Sequence, residues 1–208
     1  MAKGTLFNHE NWVWKPFSYV ADVVLLSGMW FLCSVPLITL GATTTAAYDV
    51  AARCIRGADR GFFSRFFRTL KQEWKLATLS LLLWTLILAG GYGLIRWFGN
   101  SVTVNDTTVM LTTAGLLILS VILGIACWVP AVQSRFAMPF GQLNVMAVKL
   151  ALANMPRTMV LGILTAICGW LCLQFWVPFL FLPGIMLLLW TLLLEPVFSQ
   201  YTDDSEEN

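Results

Sequence analysis

Five apolar runs, at residues 20–40, 76–95, 109–132, 158–174 and 178–194, occupy almost half of this 208-residue chain. A helix needs about 20 mostly apolar residues to cross a hydrocarbon layer roughly 30 Å thick, and each run is that long or slightly shorter. No soluble domain of this size could bury all five. The expected fold is therefore all-α: a polytopic membrane helical bundle with about five transmembrane helices. Only 12% of the residues are charged, against about a quarter in an ordinary soluble domain, which excludes a cytosolic enzyme. The loops are short, so residues 1–208 read as a single integral membrane domain with no room for a separate catalytic one. The opening segment lacks the basic-then-apolar order of a cleavable signal, so 20–40 reads as a retained first span.

Lysine and arginine set the expected orientation, because positive loops stay on the cytoplasmic side. The loop 41–75 carries Arg53, Arg56, Arg60, Arg65, Arg68, Lys71 and Lys75, and the loop 130–157 adds Arg135, Lys149 and Arg157. Against these ten stand Lys3, Lys15 and Arg96. Five spans with the N-terminus outside and the C-terminus cytoplasmic satisfy that bias. The stretch 158–198 is too long for one crossing, and Gln174 to Pro178 supplies the turn, with Trp176 at the outer interface and Pro183 kinking the start of the fifth span. Trp12, Trp14 and Trp97 fit the same outer aromatic belt and Trp74 the inner one. The acidic end, 203–208, reads as a solvated tail. Asn105-Asp106-Thr107 matches a glycosylation sequon, but nothing argues for the eukaryotic secretory route it needs, and the segment reads as a short polar turn.

The first inner loop is patterned beyond the needs of a connector. After Pro36 the chain reads LITLGATTTAAYDVAARCIRG, with small residues and threonines at helical spacing. Small residues let helix backbones approach closely in lipid. Gly41 is then a close-contact or hinge position, and Thr43, Thr44 and Thr45 open a new helix with hydroxyls available as caps. Asp49 stands four residues before Arg53, the spacing of a helical ion pair. In the following GFFSRFFRTLKQEWK, the residues Phe62, Phe63, Phe66, Phe67, Leu70 and Trp74 recur at three- and four-residue steps, with Arg65, Arg68, Lys71 and Lys75 between them. This pattern predicts an amphipathic cytoplasmic-face helix lying in the interface, rings towards acyl chains and cations towards headgroups or a docking partner. Its four cations are the candidate partner or lipid contacts.

Chemistry-bearing constellations are missing from the sequence. There is no HExxH, GxSxG or phosphate-binding lysine loop, and the single histidine, His9, precedes the first span. The carboxylates Asp22 and Glu195 fall near span ends, where no proton relay would be expected. Cys33, Cys54, Cys127, Cys168 and Cys172 lie in or beside apolar segments and read as free thiols packing as small apolar residues. Cys168 and Cys172 share a helix face, yet lack a third ligand for a metal. No catalytic residue, cofactor or metal is expected.

The run from Pro36 to Gly57, followed by FFSRFFRTLKQEWKLATLSLLLW, resembles the YesL-like family of bacterial integral membrane proteins, a domain of unknown function. The family pattern is a proline, a T-x-G-A-x-T-T-A-x-Y stretch, a basic residue and an F-x-x-F-x-x-x-x-K-like block. The matching positions are Pro36, Thr39, Gly41, Ala42, Thr44, Thr45, Ala46, Tyr48, Arg53, Phe63, Phe67 and Lys71. Arg135, Phe136, Lys149 and Pro156 match a later basic-aromatic and Asn-x-Pro region. Glu73 and Trp74 depart from the family's usual Asn-Phe, and Asp49 from a second aromatic. The resemblance implies a bacterial plasma-membrane protein encoded beside carbohydrate ABC transporters and sugar-responsive regulators, and it implies no catalytic residue. The expected function is thus a non-enzymatic accessory or regulatory component of carbohydrate uptake or sugar sensing. The alternatives are a small transporter or channel, or a lipid-interacting scaffold. The expected partners are the lipid bilayer, ABC transporter or sensor membrane subunits and a second copy of the chain, and not nucleic acid.

Overall fold

A computed structural model describes residues 14–55, 61–101, 106–136, 138–175 and 181–206. Among them are seven α-helices and no strand: α1 (Trp14–Ser34), α2 (Leu40–Val50), α3 (Phe62–Ser101), α4 (Asp106–Arg135), α5 (Phe140–Ala153), α6 (Met155–Gln174) and α7 (Leu182–Glu206). The chain is a helical membrane bundle. Three helical stretches are long and apolar enough to cross a membrane, Phe62–Gly99, Thr108–Arg135 and Met155–Gln174, and Val20–Ser34, Phe140–Ala153 and Leu182–Phe198 are shorter apolar helices.

Where the helices stop follows from local chemistry. Proline disfavours the helical region for the residue before it, so α1 ends at Ser34, ahead of Val35-Pro36, and does not run on to residue 40. A 3-10 turn, Leu37–Thr39, reverses into α2, and the Thr39 hydroxyl closes it by donating to the Pro36 carbonyl at 2.7 Å. A π-helical turn, Ala51–Ile55, continues α2. The expected interfacial helix and second span are one element: α3 has 40 residues and no proline to break it, and at 1.5 Å per residue it is about 60 Å long. Its basic, amphipathic first third is therefore continuous with the second span rather than a separate element.

The connection 130–157 also holds more structure than its basic residues suggested. Pro130 sits inside α4, and α5 forms from Phe140 behind an extended Pro139. A single residue, Asn154, separates α5 from α6. Pro183 is the second residue of α7, where its missing N–H costs nothing, so it starts that helix rather than kinking a span. α7 then runs past Pro196 to Glu206, so 203–206 are helical. Trp12, the sequon asparagine Asn105 and Trp176 lie outside the described residues.

Helix pairs pack around a ring in which α1 meets α2, α2 meets α3, α3 meets α4, α4 meets α6, α6 meets α7 and α7 returns to α1, with α5 against α4 and α6. Close approach at the α2–α3 and α4–α6 contacts depends on glycine. A Cβ at Gly41 would stand 2.5 Å from the Ala77 carbonyl oxygen of α3, and Gly124 of α4 and Gly162 of α6 each lie against a carbonyl of the other helix, those of Thr158 and Ser120. The largest fully buried side chains are Trp128, Tyr48 and Phe66, and Phe198 of α7 meets Trp128 edge to face. Buried polar groups bind the helices to one another. Trp128 donates its indole N–H to Thr158 at 3.0 Å, Thr158 donates to the Ala151 carbonyl at 2.8 Å, and Trp84 of α3 donates to Asn144 of α5 at 2.9 Å. Each such bond contributes about 1 kcal/mol and would cost more if left half-made.

Candidate functional site

The small-residue segment forms the buried centre of the bundle's basic end. In α2, residues Gly41 to Val50 are all buried except the half-buried Thr44. Because α2 begins at Leu40, three residues before the threonines, their hydroxyls do not cap it. Thr43 and Thr44 bond back to the Leu40 carbonyl and Thr45 to that of Gly41. Thr44 also accepts the Trp30 indole N–H at 3.1 Å and Thr43 pairs with Ser34 at 2.8 Å, which ties α1 to α2. Pro36 is exposed at the turn, and Thr39 donates to the Cys33 carbonyl as well.

Asp49 is the electrostatic centre. Its side chain is only 7% exposed, and Oδ2 accepts from Arg65 Nε at 2.8 Å and from the Thr69 hydroxyl at 3.2 Å, while Oδ1 pairs with Arg53 Nε at 3.1 Å. Arg53 also donates to the Ser134 carbonyl of α4 at 3.5 Å. Next to Asp49, the fully buried Tyr48 donates its hydroxyl to Glu195 Oε1 of α7 at 3.4 Å, and Glu195 pairs through its other oxygen with Arg135 of α4. Adjacent residues of α2 thus fix α3 on one side and α4 and α7 on the other. Helical spacing predicts the Asp49–Arg53 pair, which is present, but gives no sign of Arg65 and Thr69 as further partners or of a partner for Glu195. A lone carboxylate amid small apolar residues was the available signal.

The four candidate contacts divide. Arg65 is engaged with Asp49, whereas Arg68, Lys71 and Lys75 are exposed, with Lys75 5.6 Å from the Trp74 ring. The aromatic stripe divides likewise: Phe66 is fully buried, while Phe63, Phe67 and Trp74 are about half exposed. Three rings and three cations therefore occupy the outward side of the first third of α3.

A cavity of about 540 Å3 lies within the ring of helices, partly open and lined by all of them except α5. The tryptophans Trp30, Trp84 and Trp190 stand on its wall, with leucines of α3 and α4 and the three thiols Cys127, Cys168 and Cys172. All five cysteines are free, and no group of metal-ligating side chains occurs among the described residues. Sealed and empty, a void of this volume would cost on the order of 13 kcal/mol at about 24 cal/mol per Å3, as much as a whole domain's stability. Water would need two to four polar partners per molecule. The wall offers few, because Trp30, Trp84, Thr44, Thr45, Thr165 and Gln133 already bond within the protein. The cavity suits apolar matter.

Residues 23–92, about a third of the chain, match the model of a family described as protein of unknown function, DUF624. That stretch begins within α1, takes in all of α2 with Tyr48, Asp49 and Arg53, and reaches Tyr92 in α3. Glu195 and Arg135 lie beyond it. No curated protein and no solved structure matches the chain.

Proposed function

We propose that this protein is a non-enzymatic accessory or regulatory component of carbohydrate ABC uptake or sugar sensing, held in the bacterial plasma membrane with its basic end in the cytoplasm. The observation that carries the docking part of this reading is the outward face of α3. Arg68, Lys71 and Lys75 lie exposed beside Phe63, Phe67 and Trp74, while Arg65 and Asp49 hold the same helix against α2. A cationic, aromatic surface on a firmly held helix suits an anionic headgroup region or an acidic face of another membrane subunit. The link to sugars comes from the resemblance to the YesL-like family. The orientation comes from the positive-inside bias.

The test is copurification in a gentle detergent from cells grown with and without complex sugars. Replacing Arg68, Lys71 and Lys75 together by alanine should remove a permease or sensor subunit while insertion and yield stay unchanged. Arg65 is left intact because its loss would disturb the Asp49 contacts. Equal recovery of the subunit with parent and variant would refute the docking role. A second reading, a small transporter or channel, draws on the 540 Å3 cavity inside the helix ring. It predicts solute flux in liposomes, and a protein that passes no ion or sugar removes it.

A further inference from the structure

We propose that the cavity within the helix ring holds one acyl chain of a membrane phospholipid. Its wall is built by helices of a membrane bundle and is partly open, and the apolar matter such helices meet is the acyl chain. Leu81, Leu88, Leu123, Met186 and Leu187 supply the lining, and most polar side chains among them are turned to partners inside the protein. A sugar or ion would find few free donors or acceptors there. A helix from another subunit is too large. A helix is a rigid cylinder about 10 Å across, whereas an acyl chain is thin and flexible enough to follow a partly open cavity. The proposal is independent of the accessory role, since it concerns a different part of the bundle.

The experiment reconstitutes the full chain in phosphatidylethanolamine and phosphatidylglycerol vesicles containing a phosphatidylglycerol with a diazirine in mid-chain. After irradiation, adducts are located by mass spectrometry of the digested protein. Adducts are expected on wall residues such as Leu88, Cys168 and Met186, besides those on outward-facing residues such as Leu86 and Ile118, which any annular lipid reaches. Gly169 lies on the wall with open space where a side chain would stand, so Gly169→Trp fills the cavity. That variant should lower wall adducts several-fold and leave outward adducts unchanged, while Gly169→Ala should change neither. Parent protein labelled only on outward residues would overturn the proposal whatever the variant does. So would wall labelling that persists undiminished in Gly169→Trp.

Discussion

Replacing Asp49 by asparagine keeps the shape of the side chain and removes its charge, which isolates the electrostatic part of the α2–α3 contact. In the parent, the carboxylate is 7% exposed and meets Arg65 at 2.8 Å, Arg53 at 3.1 Å and Thr69 at 3.2 Å. Removing one partner of a fully buried ion pair costs about 3–5 kcal/mol, because the other charge is stranded. Here the arginines are not stranded. Their side chains are 37% and 28% exposed, so both reach water once released, and asparagine still offers one oxygen to Arg65 or Thr69. The expected loss is therefore about 2 kcal/mol, near the middle of the range for hydrogen bonds to charged groups. For a chain of this size that lowers the unfolding midpoint by roughly 4–8 °C. Tryptophan fluorescence during thermal unfolding in mild detergent measures it. Arg65→Gln should cost a similar amount, and the double variant should cost less than the sum by at least about 0.5 kcal/mol, as contacting residues do. A shift for Asp49→Asn within about 0.5 kcal/mol of the parent, typical of an exposed surface pair, or strict additivity, would refute the view of Asp49 as a buried centre.

Thr158→Val should destabilise by about 1–3 kcal/mol, because it leaves the Trp128 indole N–H buried without its acceptor; the same thermal assay reads it. Gly41→Ala should lower stability and Gly93→Ala should not, since a Cβ meets the Ala77 carbonyl at the first position and nothing within 4 Å at the second; equal effects would contradict the close α2–α3 approach. The triple alanine variant of Arg68, Lys71 and Lys75 should unfold within about 0.5 kcal/mol of the parent, as exposed positions do, so that any loss of a partner is a loss of contact rather than of fold.

The all-helical membrane fold was legible because apolar runs near the bilayer length have few other uses. Element ends were less legible. Hydropathy carries 20–40 past Pro36, although the backbone restriction at Val35 stops α1 at Ser34. The joining of 62–75 to the second span was hidden by a change in side-chain character from mixed to apolar, which says nothing about continuity when no helix breaker intervenes. α5 is hard to read because Arg135, Lys149 and Arg157 mark the segment as a loop, while FGQLNVMAVKLALA has the composition of a helix. Of the candidate contacts, the exposed Arg68, Lys71 and Lys75 could be read from helical spacing, but Arg65 could not be separated from them. What distinguishes it is a carboxylate sixteen residues away, brought near where α3 packs back against α2.

The unbroken length of α3 also makes it a lever. Its backbone approaches α2 closely at Ala77 against Gly41, about 22 Å from the Phe62 end and about 36 Å from the Ser101 end at 1.5 Å per residue. If the rod tilts about that contact, a 1 Å displacement of the basic end becomes an opposite displacement of roughly 1.6 Å at the far end. Gly99 of α3 lies against Thr112 of α4, so the movement would reach the α3–α4 connection on the opposite face of the bundle. Under the proposed docking role, a force on Arg68 or Lys71 large enough to tilt α3 would move its far end with no change in any helix's internal hydrogen bonding.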